Sequence, residues 1–154
     1  MTLSDDVAAY SMATSQFLHD ATIVNDDNLD RHREGAWSAR QVIHHVADSE
    51  AQSYARLRRL LAEPAGSVIQ GYDEAAWAEC PQLGYRDLPI IHALEVFKAV
   101  RLASLDVLGR LRESDLERYG EHSQSGRYTL ATWLAVYTEH PRTHAAQLLE
   151  AVNA

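Results

Sequence analysis

Residues Thr129–Val152 read TLATWLAVYTEHPRTHAAQLLEAV, and the periodicity of this stretch decides the fold. Leu130, Trp133, Tyr137, His140, His144, Gln147 and Ala151 recur every three or four residues, which puts them on one stripe of an amphipathic helix. His140 and His144 are one helical turn apart, so their rings lie one above the other on that stripe.

Three other stretches share the period. The first runs from about Ser4 to Asp20, with Val7, Tyr10, Thr14, Phe17 and Ala21 in line. The second opens at Ser38, which forms a capping box with Gln41, and Glu63-Pro64-Ala65-Gly66 stops it after about Ala62. Its inward residues are Val42, Val46, Ser49, Ser53, Leu57 and Leu60. The third is predicted to start near Leu88-Pro89, with proline in the first turn where its missing N–H costs nothing, and to run to about Leu111 through Leu94, Phe97, Leu105 and Leu108. No stretch alternates in the manner of a strand. Four such helices in 154 residues predict one all-α domain spanning the chain, a four-helix bundle. The connection from about Glu63 to Asp87 is long for a bundle, where roughly 2–8 residues is usual. As a crossover travelling the length of the bundle, it lets helices two and three run parallel, with helix four antiparallel to helix two.

The formal net charge of −8 argues against nucleic acid or an anionic membrane as partner. No apolar run is long enough to cross a bilayer, and the acidic start MTLSDDVAAYSMATSQF lacks a signal-peptide pattern, so a soluble, cytoplasmic chain is expected. The single cysteine, Cys80, excludes an internal disulfide and a cysteine-rich zinc site, and no basic residue adjoins it in sequence.

The chemistry concentrates on histidines. His45 lies about 10 Å into helix two at ~1.5 Å per residue, and His144 roughly 12 Å from the end of helix four. Antiparallel neighbours bring the two to similar depth. Neutral imidazoles buried without partners are costly, and a metal resolves that cost; satisfied core histidines are the alternative. Three histidines with an open coordination position mark a catalytic divalent metal. His44 points about 100° from His45, toward solvent, and His19, His32 and His92 show no partner pattern. The pair is not the zinc-protease motif, because Pro141 stands where that motif carries its glutamate base. Inside a helix Pro141 costs ~3 kcal/mol or more, should free the Tyr137 carbonyl and should bend the helix.

At these residues the chain resembles the DinB/YfiT-like superfamily. Trp37-Ser38 followed by His45-Val46-Ala47-Asp48-Ser49-Glu50 is similar to its helix-two signature. Tyr72-Asp73-Glu74-Ala75-Ala76-Trp77-Ala78 is similar to a loop motif, His122 before Gly126 holds the same relative place, and His140-x-x-x-His144-x-x-Gln147 is similar to the final-helix motif. The resemblance implies an up-down-down-up bundle, often a homodimer, that binds one zinc or nickel ion through His45, His140 and His144. Pro141 departs from the family pattern, which has an ordinary helical residue there. Members resemble S-transferases that use low-molecular-weight thiols, or metal-dependent hydrolases.

Both chemistries need one open metal position: a thiol there becomes a thiolate, and a water falls in pKa toward ~7. The leading expectation is a thiol S-transferase acting on a small electrophile, with a low-molecular-weight thiol as co-substrate. A hydrolase of small esters or amides and a non-catalytic, metal-stabilised binding protein are the alternatives. Asp48, one turn beyond His45, is the expected catalytic carboxylate, as base or as partner of a ligand; a solvated side chain or a partner of Gln52 is the alternative. Glu50 and Glu139 point elsewhere by periodicity. Four residues are candidate substrate contacts. Tyr72 and Trp77 cap the mouth of the bundle or anchor the crossover. Arg101, on the stripe of helix three, meets a substrate carboxylate, an internal partner or solvent. His122 enters the pocket or orders its own loop.

Overall fold

The computed structural model describes residues 2–154. Its helices are α1 (Leu3–Asp20), α2 (Ala39–Ala62), the short α3 (Glu74–Glu79), α4 (Ile91–Leu108) and α5 (Leu130–Val152). Local chemistry sets most boundaries. Thr2 and Asp5 form a capping box on α1, and Ser38 and Gln41 form the expected one on α2. Thr129 caps α5 by accepting the Thr132 N–H at 3.0 Å. Glu63 ends α2 immediately before Pro64.

The third long helix is shorter than expected. It starts at Ile91, without a side-chain cap, and stops at Leu108 before Gly109, so Pro89 lies outside its first turn. The Leu88 carbonyl is engaged by Arg40 Nη1 at 2.9 Å and approached by His44 Nε2 at 3.1 Å, which ties this segment to α2 before the helix begins. His44 is accordingly half-buried and stacked on Tyr85, not turned to solvent.

Two apolar clusters show the direction of each helix. One gathers Phe17 from the end of α1, Ala39–Ala47 from the start of α2, Ala93 and Phe97 from the start of α4, and Ala145–Val152 from the end of α5. The other gathers Leu3 and Tyr10, Leu57 and Leu60, Leu108, and Leu130–Tyr137 from the opposite ends. So α1 and α5 run one way while α2 and α4 run the other: up-down-down-up. The α2 helix packs on both α4 and α5, as the long crossover anticipated.

The absence of strands does not hold. Val68–Ile69 (β1) pairs parallel with Tyr119–His122 (β2), which pairs antiparallel with Gly126–Thr129 (β3). Strands of two and four residues are too short to show alternation, and they exist because the crossover meets the segment before α5. Gly120 permits that meeting: a Cβ there would lie 2.6 Å from the Ser67 carbonyl oxygen and from Ile69 Cγ1. The small sheet places His122 beside the bundle.

Pro141 sits inside an uninterrupted α5, and the carbonyl it frees is used. The Arg101 guanidinium donates to the Tyr137 carbonyl, to the Tyr10 carbonyl at 2.9 Å, to Thr14 Oγ1 at 2.8 Å and to Glu50 Oε1 at 3.1 Å, and lies 3.4 Å from the Tyr10 ring centroid. Both Arg101 and Glu50 have no exposed side-chain surface. Arg101 is therefore an internal clamp holding α1, α2 and α5 to α4, not a substrate contact. Glu50 points inward as its partner, against the periodicity argument that set it aside. Burial pushes the Glu50 carboxyl up while Arg101 pulls it down.

Candidate metal centre

His45 reaches the bundle interior seven residues beyond the Ser38 cap, and the antiparallel α5 brings His140 and His144 against it. One ring nitrogen from each lies within 4.8 Å of the other two. His140 Nε2 and His45 Nε2 are 3.3 Å apart. Two ligands of a tetrahedral zinc at 2.0–2.1 Å stand about 3.3 Å from one another, so that pair already has the spacing of ligands to one ion. His144 Nδ1 is 2.7 Å from Gln147 Oε1, an acceptor, which puts the ring proton on Nδ1 and leaves the Nε2 lone pair free. His45 Nδ1 and His140 Nδ1 are buried and have no partner among the described residues.

Burial keeps these rings uncharged. The His45 pKa is pushed down to about 4, by burial first and His144 second. That of His140 falls to about 2, through burial and the charges of His144, His45 and Arg101. His144 is also lowered by burial, with Gln147 opposing. All three are neutral at pH 7, as metal ligation requires, and the donor set fits a borderline ion such as zinc or nickel.

His140 also lines a cavity of about 170 Å³, with Tyr72 and His122 from the expected set. Tyr72 Oη is buried without a partner among the described residues, and its ring lies 4.6 Å from that of Trp77. Trp77 does not line the cavity but backs Tyr72, the anchoring alternative, at the start of α3, where Asp73 accepts the Ala76 N–H at 2.9 Å. His122 Nδ1 accepts the Gln124 N–H at 3.3 Å, so the neutral ring carries its proton on Nε2. Burial and Arg56 lower its pKa.

Asp48 is placed differently. It is half-buried, accepts the Tyr85 hydroxyl at 2.6 Å, and does not line the cavity. The free Nδ1 of His45 shows that Asp48 does not support that ligand. Six cavity residues had no site role in the sequence argument, and three of them, Ser49, Arg56 and Glu74, bear on the chemistry. Ser49 and Arg56 stand four and eleven residues beyond His45, the same helical face, which is the signal that could have identified Arg56. Arg56 Nη1 donates to Tyr137 Oη and Nη2 to the Gln70 carbonyl, each at 2.9 Å. Partial desolvation at the cavity wall raises the Glu74 carboxyl pKa, with Arg56 opposing.

Comparison with known proteins agrees with this geometry. Residues 9–148 match the family model of the DinB superfamily. A protein of Oceanobacillus iheyensis is 36% identical over 126 residues, covering 81% of this chain and 71% of that one. One from Bacillus mycoides is 34% identical over 117 residues, covering 76% of this chain and 65%, just under two thirds, of its own length. Both carry the name "putative metal-dependent hydrolase". Among solved structures, YfiT from Bacillus subtilis, described as a probable metal-dependent hydrolase of unusual four-helix-bundle topology, superposes with a TM-score of 0.85 at 25% identity, over 98% of this chain and 86% of that one. A mycothiol-dependent maleylpyruvate isomerase shares the fold, with a TM-score of 0.74 at 18% identity, over 96% of this chain and 61% of that one. The match over residues 9–148 takes in the bundle and its three histidines, and the chain belongs to the DinB superfamily.

Proposed function

We propose that this chain is a metal-dependent enzyme that joins a low-molecular-weight thiol to a small electrophile, with one zinc or nickel ion held by His45, His140 and His144. The observation that carries the reading is that three neutral imidazoles converge beside a cavity lined by one of them. An ion bound there would supply a nucleophile at neutral pH by favouring the thiolate or hydroxide form of its fourth ligand. Tyr72 Oη and His122 Nε2 are donors available to an oxygen of the substrate. A thiol with pKa near ~8.5 needs little help to lose its proton, so this reading does not depend on Asp48, whose carboxylate Tyr85 occupies.

A second reading, hydrolysis of small esters or amides, is favoured by the names of the relatives. It requires a base, and the carboxylate lining the cavity is Glu74. Metal content by mass spectrometry, on untagged protein purified without nickel resin, tests the common part. About one divalent ion per chain, lost in the His140→Ala/His144→Ala variant, is expected; no metal in the parent would sink both readings. Conversion of a chromogenic electrophile only with added thiol supports the first. Ester cleavage without thiol supports the second.

A further inference from the structure

The cavity beside His140 contains two opposite charges that do not meet. Arg56 and Glu74 both line it, yet among the described residues neither takes part in an ion pair. Arg56 is held in place by two neutral acceptors, Tyr137 Oη and the Gln70 carbonyl, so its charge is positioned but not neutralised. Among the described residues its Nε is buried without a partner, as is Tyr72 Oη on the same cavity. Unsatisfied buried donors in a structure call for a missing acceptor.

We propose that this cavity takes the α-carboxylate and α-ammonium of a small amino-acid-like ligand, with Arg56 and Tyr72 binding the carboxylate and Glu74 the ammonium. A simple carboxylate would satisfy Arg56 and face the like charge of Glu74. A simple amine would do the reverse. Only a ligand bearing both signs answers both residues. The guanidinium fork suits a carboxylate, and its two existing hydrogen bonds limit the side-chain freedom lost on binding. At ~30 Å³ per water, the roughly 170 Å³ available corresponds to about six waters, the scale of a small amino acid. The inference rests on the metal-centre reading only for what lies at the far end of the ligand.

Calorimetric titration of the purified chain with L-2-aminobutyrate, butyrate and propylamine tests it. The zwitterion is expected to bind at least about tenfold more tightly than either truncated ligand, the scale of a single charge-assisted hydrogen bond. Glu74→Gln should weaken L-2-aminobutyrate by a similar factor without weakening butyrate, and Glu74 lies exposed in the first turn of α3, where the change leaves the core intact. Arg56→Gln should weaken butyrate and L-2-aminobutyrate alike. No detectable binding of L-2-aminobutyrate, equal binding of all three ligands, or an unchanged affinity in Glu74→Gln would overturn the proposal. L-cysteine, titrated with and without zinc, separates this from the thiol reading. A zinc-dependent gain for cysteine that ignores Glu74 and Arg56 would overturn the zwitterion site and keep the thiol. Binding of L-2-aminobutyrate with no zinc-dependent gain for cysteine would keep the site and remove the thiol.

Discussion

His45 is buried and His140 half-buried, the fold prefers the neutral form of both, and that preference has a sign. Their folded pKa values, about 4 and about 2, lie below the ordinary imidazole value of 6.5. Between those limits the unfolded chain binds protons that the folded chain does not, so stability is complete above about pH 6.5 and is lost as the pH falls. Glu50, raised by burial, acts in the opposite direction. The comparison that isolates the histidines is therefore parent against His45→Asn/His140→Asn. The urea midpoint of the metal-free parent is expected to drop more steeply than that of the variant from pH 7 to pH 4; parallel curves would count against buried neutral rings. Arg101 gives a second expectation at this scale. Arg101→Met leaves the Glu50 carboxyl buried without its partner, and loss of one member of such a pair costs about 3–5 kcal/mol in urea denaturation. A cost under ~1 kcal/mol would mean that the clamp contributes little.

At the scale of the element, α5 carries a proline that a helix tolerates poorly and a side chain from α4 that compensates for it. Because Arg101 donates to the carbonyl Pro141 leaves free, the two positions should be coupled. Pro141→Ala supplies the missing N–H, so Arg101→Met should cost less in that background than in the parent, by about 0.5–3 kcal/mol. Equal costs in a double-mutant cycle would show that the freed carbonyl does not need the guanidinium. The three-stranded sheet makes a different demand. An alanine at Gly120 drives its methyl against the Ser67 carbonyl and Ile69, and overpacking of this kind costs about 1–3 kcal/mol. Gly120→Ala should lower the melting temperature while leaving metal content unchanged, because the histidines lie on α2 and α5. Loss of metal along with stability would mean that the sheet supports the centre directly.

Across the whole molecule, the centre joins two helices whose residues are about a hundred positions apart in the chain, His45 on one and His140 and His144 on the other. An ion that binds only the folded arrangement adds stability by mass action, about 2.7 kcal/mol at a hundredfold excess over Kd. For a chain of this size that is roughly 5–10 °C in melting temperature. Zinc should raise the thermal midpoint of the parent by that amount and leave His140→Ala/His144→Ala unmoved; an equal rise in both would place the ion elsewhere.

The residue order by itself was enough to determine that the four long helices exist, the Ser38 cap of α2, the inward stripes and the three histidines, because periodicity, capping and chain breaks act over one to four residues. The length of the crossover allowed the parallel run of α2 and α4 that the packing shows. Tertiary structure alone decided the remainder. Glu50 turns inward because Arg101 arrives from another helix, and Asp48 is occupied because the crossover delivers Tyr85. The strands form only where distant segments meet, and the cavity walls come from α2, the crossover, the end of β2 with the loop after it, and α5. Such contacts are set by how the elements pack, and no local pattern of residues encodes which distant group will fill the space opposite.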